Sequence, residues 1–207
     1  EARVTMAVEH VNFIHIPKNA GTTLRQLIDA QGSGGFLCYH GHETDPVALG
    51  GDQLIVLRDP VDRFCSAVRY ATGPPWHVDV GAASPNDFAL AMSDAANEHH
   101  ERVMAEVRNT QHRVGGVLLE WKQTYASQHH WHTPGQRVAL FEHLREDLEH
   151  LFRARGQGLP ALENLNTSQG GHGLGDEARA YLERTFRRDI ELYERYKDMD
   201  RHKRLAR

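Results

Sequence analysis

Residues 11–24 read VNFIHIPKNAGTTL, and the way this stretch divides decides the fold. Val11, Phe13, Ile14 and Ile16 have the β-branched and aromatic character of a buried strand, and Leu24, Leu27 and Ile28 are spaced as on the first turns of a helix. Between them Pro17, Lys18, Asn19, Ala20 and Gly21 break the apolar run, so the expected local structure is strand, tight loop, helix. Such a join aims backbone N–H groups and the positive end of a helix dipole at one spot. Lys18, Thr22 and Thr23 add a cation and two hydroxyls there, a set suited to phosphate.

The usual nucleoside-triphosphate loop, GxxxxGK[ST], places lysine after its second glycine and beside the hydroxyl that holds magnesium. Here Lys18 precedes the loop's only glycine by three positions, so this loop is a different one. Taken alone, PKNAGTTL also suits an ordinary turn with a helix N-cap. A second stretch, residues 53–71, reads QLIVLRDPVDRFCSAVRYA. Leu54 to Leu57 form an apolar run short enough for a strand buried on both faces, and Asp59 and Pro60 open the next helix. With both strands parallel, Arg58, Arg63 and Ser66 lie at the same end of the sheet as the first loop and suit a second phosphate. The plainer reading of that segment is a solvated Arg/Asp helix start.

PKNAGTTL followed by RDPVDRFCS resembles the paired signature of the sulfotransferases that use 3′-phosphoadenosine 5′-phosphosulfate (PAPS). Further segments resemble successive landmarks of the carbohydrate-directed, Golgi-type branch: YASQHHWH at 125–132, VALFEHLREDLEHLF at 138–152, LENLNTS at 162–168 and RRDIELYERY at 187–196. The resemblance implies a P-loop-like, three-layer α/β fold with a central, mainly parallel sheet flanked by helices and ligands at the strands' carboxyl ends. It further implies that Pro17, Lys18, Asn19, Ala20, Gly21, Thr22 and Thr23 hold the 5′-phosphosulfate, with Lys18 bridging the leaving oxygen and the moving sulfuryl group. Arg58 and Ser66 would clamp the 3′-phosphate, and Thr167, Ser168 and Gly170 would donate hydrogen bonds at the nucleotide end.

Tyr39, His40, Gly41 and His42 resemble a motif of the heparan sulfate 2-O-sulfotransferases, in which the matching HGH supplies the catalytic base. Imidazole suits that role, because an acceptor hydroxyl loses its proton as it attacks sulfur. By position His42 is the expected base, with His40 its partner or the alternative. The loop between PKNAGTTL and HGH is much shorter than in those enzymes, which bears on the acceptor. Metal binding is the rival reading for a chain with 15 histidines. No HExxH or CxxC spacing supports it, and sulfuryl transfer needs no metal; none is expected.

The 207 residues, 40% hydrophobic with a formal charge of −4, fit one soluble domain spanning 1–207. No run of about 18 apolar residues offers a membrane span, and residues 1–10 lack a signal-peptide core. No nucleic-acid or membrane partner is expected. Cys38 and Cys65 make no disulfide framework, so a cytoplasmic setting is the simplest expectation, or the Golgi lumen if a membrane anchor has been cut away. Residues 72–81 read as a loop over the site, with Trp76 and His77 as cleft-shaping or anchoring residues. Helices are expected from Ser84 onward, over 97–109, over 116–130, after the strand 137–141, and over 176–198. Gln128 and Trp131 are expected beside cofactor or acceptor, or simply packed; the basic end, 200–207, reads as solvated.

The implied reaction is in-line transfer of the sulfuryl group from PAPS to an acceptor hydroxyl, leaving adenosine 3′,5′-bisphosphate. A slightly acidic chain points to a saccharide or small hydroxylated metabolite that is neutral or lightly charged, since polyanions reward clustered basic residues. The alternative class is a P-loop-like nucleotide-binding protein or small-molecule kinase, which would require magnesium and a nucleoside triphosphate.

Overall fold

The run that ends in Leu57 is buried along its whole length because it is an inner strand with a layer packed on each face. A computed structural model describes residues 9–82, 84–161 and 173–206. β1 (Val11–Ile14) leads into α1 (Gly21–Gln31), β2 (Leu37–His40), the short α2 (Pro46–Leu49), β3 (Asp52–Leu57) and α3 (Pro60–Thr72). Next come α4 (Pro85–Ser93), α5 (His100–Val107) and a hairpin of β4 (Arg113–Val114) and β5 (Val117–Leu118). The chain closes with β6 (Arg137–Leu140), α6 (Leu144–Arg153), α7 (Asp176–Thr185), α8 (Arg187–Lys197) and α9 (Arg201–Leu205).

The main sheet is parallel, in the order β2-β1-β3-β6. Leu54 and Val56 pack with Phe13, Leu24 and Leu148 on one face. Ile55 and Leu57 pack with Ile14, Trp131 and Tyr193 on the other, as the two-residue period of a strand requires. A separate cluster joins α3 to α4, α5 and α7 through Phe64, Val68, Phe88, Val103 and Leu182. The result is a mixed α/β fold with a four-stranded parallel sheet flanked by helices. Among the described residues, no helix is long and apolar enough to cross a membrane. Cys38 and Cys65 are free thiols, on β2 and α3.

The chain leaves β1 for β2 on one side and returns to β3 on the other. The crevice beyond the carboxyl ends of β1 and β3 is therefore a topological switch point, where open α/β sheets take their ligands. β1 and β3 are direct partners, Val11 beside Asp52 and Phe13 beside Leu54. Sequence segments some forty positions apart thus open side by side.

Three expected elements are corrected. The helix expected over 116–130 is absent: Gly115 and Gly116, at φ 56° and 76°, close the β4–β5 hairpin, and 128–131 is a single 3₁₀ turn. Two successive positive φ values are those of a type I′ hairpin turn, which a Gly-Gly pair accommodates without a Cβ penalty. The segment 176–198 is two helices that break at Phe186. The basic end is not solvated as expected. Arg204 is buried in α9, and its guanidinium forks onto the buried carboxylate of Asp147.

Candidate functional site

The loop after β1 is held in a conformation that side-chain-bearing residues seldom adopt. Lys18 has φ 68° and Ala20 φ 60°. Such backbone costs on the order of 1–3 kcal/mol per residue and persists only where its surroundings over-determine it. Here the surroundings are explicit. Buried Asn19 donates through Nδ2 to the Val56 carbonyl at 2.7 Å and to Gln128 Oε1 at 2.5 Å. Arg63 donates to the Pro17 carbonyl at 3.0 Å and to the carbonyls of Ala126 and Gln123 at 2.8 and 3.2 Å. The loop is clamped from below by an amide and from the side by a guanidinium.

α1 then begins at Gly21 with no side-chain cap and no acidic residue in its first turn. Its leading N–H groups keep their positive end open to an anion. α3 differs. Asp59 caps it, accepting from the N–H groups of Val61 and Asp62 at 2.9 and 3.0 Å, so a carboxylate already holds that helix end. The second segment contributes through its side chains instead.

Arg58, 2% exposed, reaches back to the first loop, where Nη1 donates to the Lys18 carbonyl at 3.3 Å; its guanidinium also stacks 4.3 Å over the Phe141 ring. Both backbone groups of Arg58 are tied to the Gln128 carboxamide, N–H to Oε1 at 3.0 Å and C=O from Nε2 at 2.8 Å. Gln128 thus fastens the PKNAG loop and the RDP segment to one another. Asp189, buried on α8, accepts from the N–H groups of Gln128 and His129 at 2.6 and 3.0 Å and sets the turn that carries them.

A cavity of about 330 Å³ opens at this junction. Pro17, Lys18, Ala20, Gly21 and Thr22 line it from the first segment, Arg58 and Ser66 from the second, and His42 from the third. Of the other residues expected there, Asn19 lies beneath the loop and Thr23 is outside the lining. Arg63 is corrected outright: it lies outside the lining, each of its three guanidinium nitrogens donates to a main-chain carbonyl, and it braces the loop. His40 does not line the cavity either; its Nε2–H donates to Asn12 Oδ1 at 3.0 Å. Thr167, Ser168 and Gly170 lie outside the described residues. Trp131 is fully buried and donates from Nε1 to the His42 carbonyl at 2.7 Å. Trp76 is 59% exposed and lies outside the lining, its ring 6.0 Å from that of Tyr70.

Five lining residues were not anticipated: His15, Tyr70, Gln123, Thr124 and Phe141. His15 Nδ1 is 2.7 Å from the Tyr39 hydroxyl, and its ring centroid is 4.1 Å from that of His42. Burial, then the charges of His42 and Lys18, lower its pKa to about 3, so it is a neutral imidazole at any ordinary pH. The strand reading passed over His15; its place two positions before Pro17 and the phosphate loop was the available signal. Tyr70 lies one helical turn beyond Ser66 and carries the Lys18 ammonium 4.0 Å above its ring.

His42 Nδ1 stands 3.0 Å from the His15 carbonyl. A carbonyl only accepts, so Nδ1 bears the proton in this contact and the neutral ring keeps its lone pair on Nε2. Burial, and after it Arg58 and Arg63, lower the Lys18 pKa to about 8. Among the described residues, no group of three or more His, Cys, Asp or Glu is gathered to hold a metal ion.

Gly21 has a steric reason to be glycine. A Cβ there would stand 1.7 Å from His15 Nε2. Gly21→Ala is expected to lower stability by about 1–3 kcal/mol, the usual cost of overpacking, and His15→Ala in the same chain should relieve most of it. Urea unfolding of the two single variants and the double variant measures this. Strict additivity would show that the two residues do not meet.

No family model, curated protein or solved structure matches the chain. The likeness to sulfotransferases rests on the short segments quoted above.

Proposed function

We propose that the chain is an O-sulfotransferase that moves the sulfuryl group of PAPS to an acceptor hydroxyl on a P-loop-like, three-layer scaffold. One observation carries this reading: Lys18 and Arg58, from separate strand–helix joins, meet at one cavity with an imidazole in its wall. A nucleotide bearing phosphate at both ends needs two anion sites within its own length, and a triphosphate loop offers one continuous cradle instead.

The residues present fit such a donor. The open N–H groups of Ala20, Gly21 and Thr22 and the Thr22 hydroxyl would hold the 5′-phosphate. Arg58 and Ser66 would hold the 3′-phosphate, where the guanidinium fork suits a dianion. Bound PAPS supplies an activated sulfuryl group whose leaving group is a phosphate. Lys18 would meet the negative charge that gathers on the phosphate side, and it acts inside a partly desolvated site where a fixed charge is worth most. His42 Nε2 would take the acceptor proton, with Nδ1–H held on the His15 carbonyl so that the ring keeps its orientation as it becomes charged.

Calorimetry with adenosine 3′,5′-bisphosphate against Mg–ATP tests the donor assignment, and transfer of labelled sulfate from PAPS tests the reaction. Binding of Mg–ATP without the bisphosphate would sink the reading in favour of a kinase.

The depressed Lys18 pKa gives a pH dependence of definite sign. The free site holds its ammonium below pH 8 and loses it above, and a bound anion draws the proton back. Affinity for the bisphosphate is therefore expected to be flat from about pH 7 to 8, then to fall by up to about tenfold per pH unit, with proton uptake on binding. Titrations in two buffers of different ionisation enthalpy read both effects. Flat affinity to about pH 10 would show that Lys18 is not the titrating contact.

A further inference from the structure

A second cavity, of about 460 Å³, is lined by Gly41, His42, Glu43, Thr44 and Gln123. Two of these, His42 and Gln123, also line the first cavity, so the two spaces meet across the imidazole proposed as base. Both volumes fall within the roughly 300–1,000 Å³ of small-molecule sites. Gln123 is 8% exposed, and its buried Nε2 has no hydrogen-bond partner among the described residues. A buried amide donor left unmade costs on the order of 1–3 kcal/mol, and at a cavity wall a ligand oxygen removes that cost.

The charges of the two spaces differ. The first has Lys18 and Arg58 in its wall; the second has no lysine or arginine and one carboxylate, Glu43, 3.6 Å from His112. Resting on the proposed transferase reading, we infer that the second cavity is the acceptor subsite and takes an uncharged polyhydroxylated acceptor, a neutral saccharide. Gln123 Nε2 donates to an acceptor oxygen, the Thr44 hydroxyl and Glu43 carboxylate engage neighbouring hydroxyls, and Glu43 opposes sulfated or uronate-bearing chains. The attacking hydroxyl gives its proton to His42 Nε2 as the new O–S bond forms. The S–O bond to the donor phosphate breaks, and its electron pair leaves with the bisphosphate.

The test uses the full chain, labelled PAPS, a neutral N-acetylglucosamine oligomer and the same oligomer after chemical sulfation. Wild type is expected to favour the neutral form. Gln123→Leu should raise KM for it about tenfold or more, as when a site built to pair with a substrate hydroxyl loses its partner, with bisphosphate affinity unchanged within about twofold. Glu43→Lys, an exposed replacement, should shift preference toward the sulfated oligomer by about tenfold, the reach of a charge reversal in a shared cleft. The inference is overturned if wild type prefers the sulfated oligomer, if Glu43→Lys leaves the preference unchanged, or if Gln123→Leu weakens bisphosphate and acceptor alike. It also fails if the bisphosphate binds but no sulfate reaches the neutral oligomer, an outcome that leaves the donor assignment standing. Loss of bisphosphate binding in wild type would instead remove the transferase reading.

Discussion

Lys18→Ala is expected to lower kcat by on the order of 100-fold or more, the usual effect of removing one preorganised charge from a transition state. The loop presents Lys18 at a fixed place. Its backbone is locked at φ 68° between the Asn19 and Arg63 clamps, and its ammonium rests on the Tyr70 ring. Burial and two neighbouring guanidiniums disfavour that charge until an anion arrives. The same replacement should therefore not lower thermal stability: alanine carries the same Cβ at positive φ, and an unfavourable charge is gone. A fall in rate without a fall in melting temperature separates chemistry from folding. Lys18→Arg is expected to restore little, since a planar fork does not fill the place of a point charge. Wild-type kcat in Lys18→Ala would remove Lys18 from the reaction.

His42→Ala is expected to cost about 10²- to 10⁴-fold in turnover, the range for a positioned general base, while affinity for adenosine 3′,5′-bisphosphate stays within about twofold. The two effects part because His42 stands at the junction of the cavities and is given no contact with the bisphosphate, whose phosphates are assigned to Arg58, Ser66 and the N–H groups that open α1. His42→Gln serves as control, since its amide can still donate to the His15 carbonyl but cannot take a proton. If His42→Ala keeps wild-type turnover, His15 is the remaining imidazole of the described cavity. Its low pKa makes it a poor proton acceptor. His40 is turned to Asn12 and does not replace it.

Part of this site could be read from residue order. The apolar runs at Val11–Ile14 and Leu54–Leu57, each followed by a break and a helix start, locate two parallel strands and their loops. Lys18, Gly21, Thr22, Arg58 and Ser66 sit in those loops for local reasons of spacing. His15 was passed over because a lone histidine inside an apolar strand has no periodicity to mark it. The hairpin at Gly115–Gly116 was missed because Val117, Leu118, Trp121 and Tyr125 also fit a helical stripe, although Val117 and Leu118 are exposed in the folded chain.

Local sequence determined the strand–loop–helix joins, their cations and their hydroxyls, because backbone φ preference, apolar periodicity and helix starts act over a few residues. Tertiary structure alone decided that Arg63 braces while Arg58 faces the cavity, that Gln128 and Asp189 hold two loops together, and that His42 rather than His40 reaches the site. Those outcomes depend on which strands pair and which carbonyls lie within about 3 Å of a donor. No short-range pattern encodes such contacts, since the partners stand 60 and 70 positions apart in the chain.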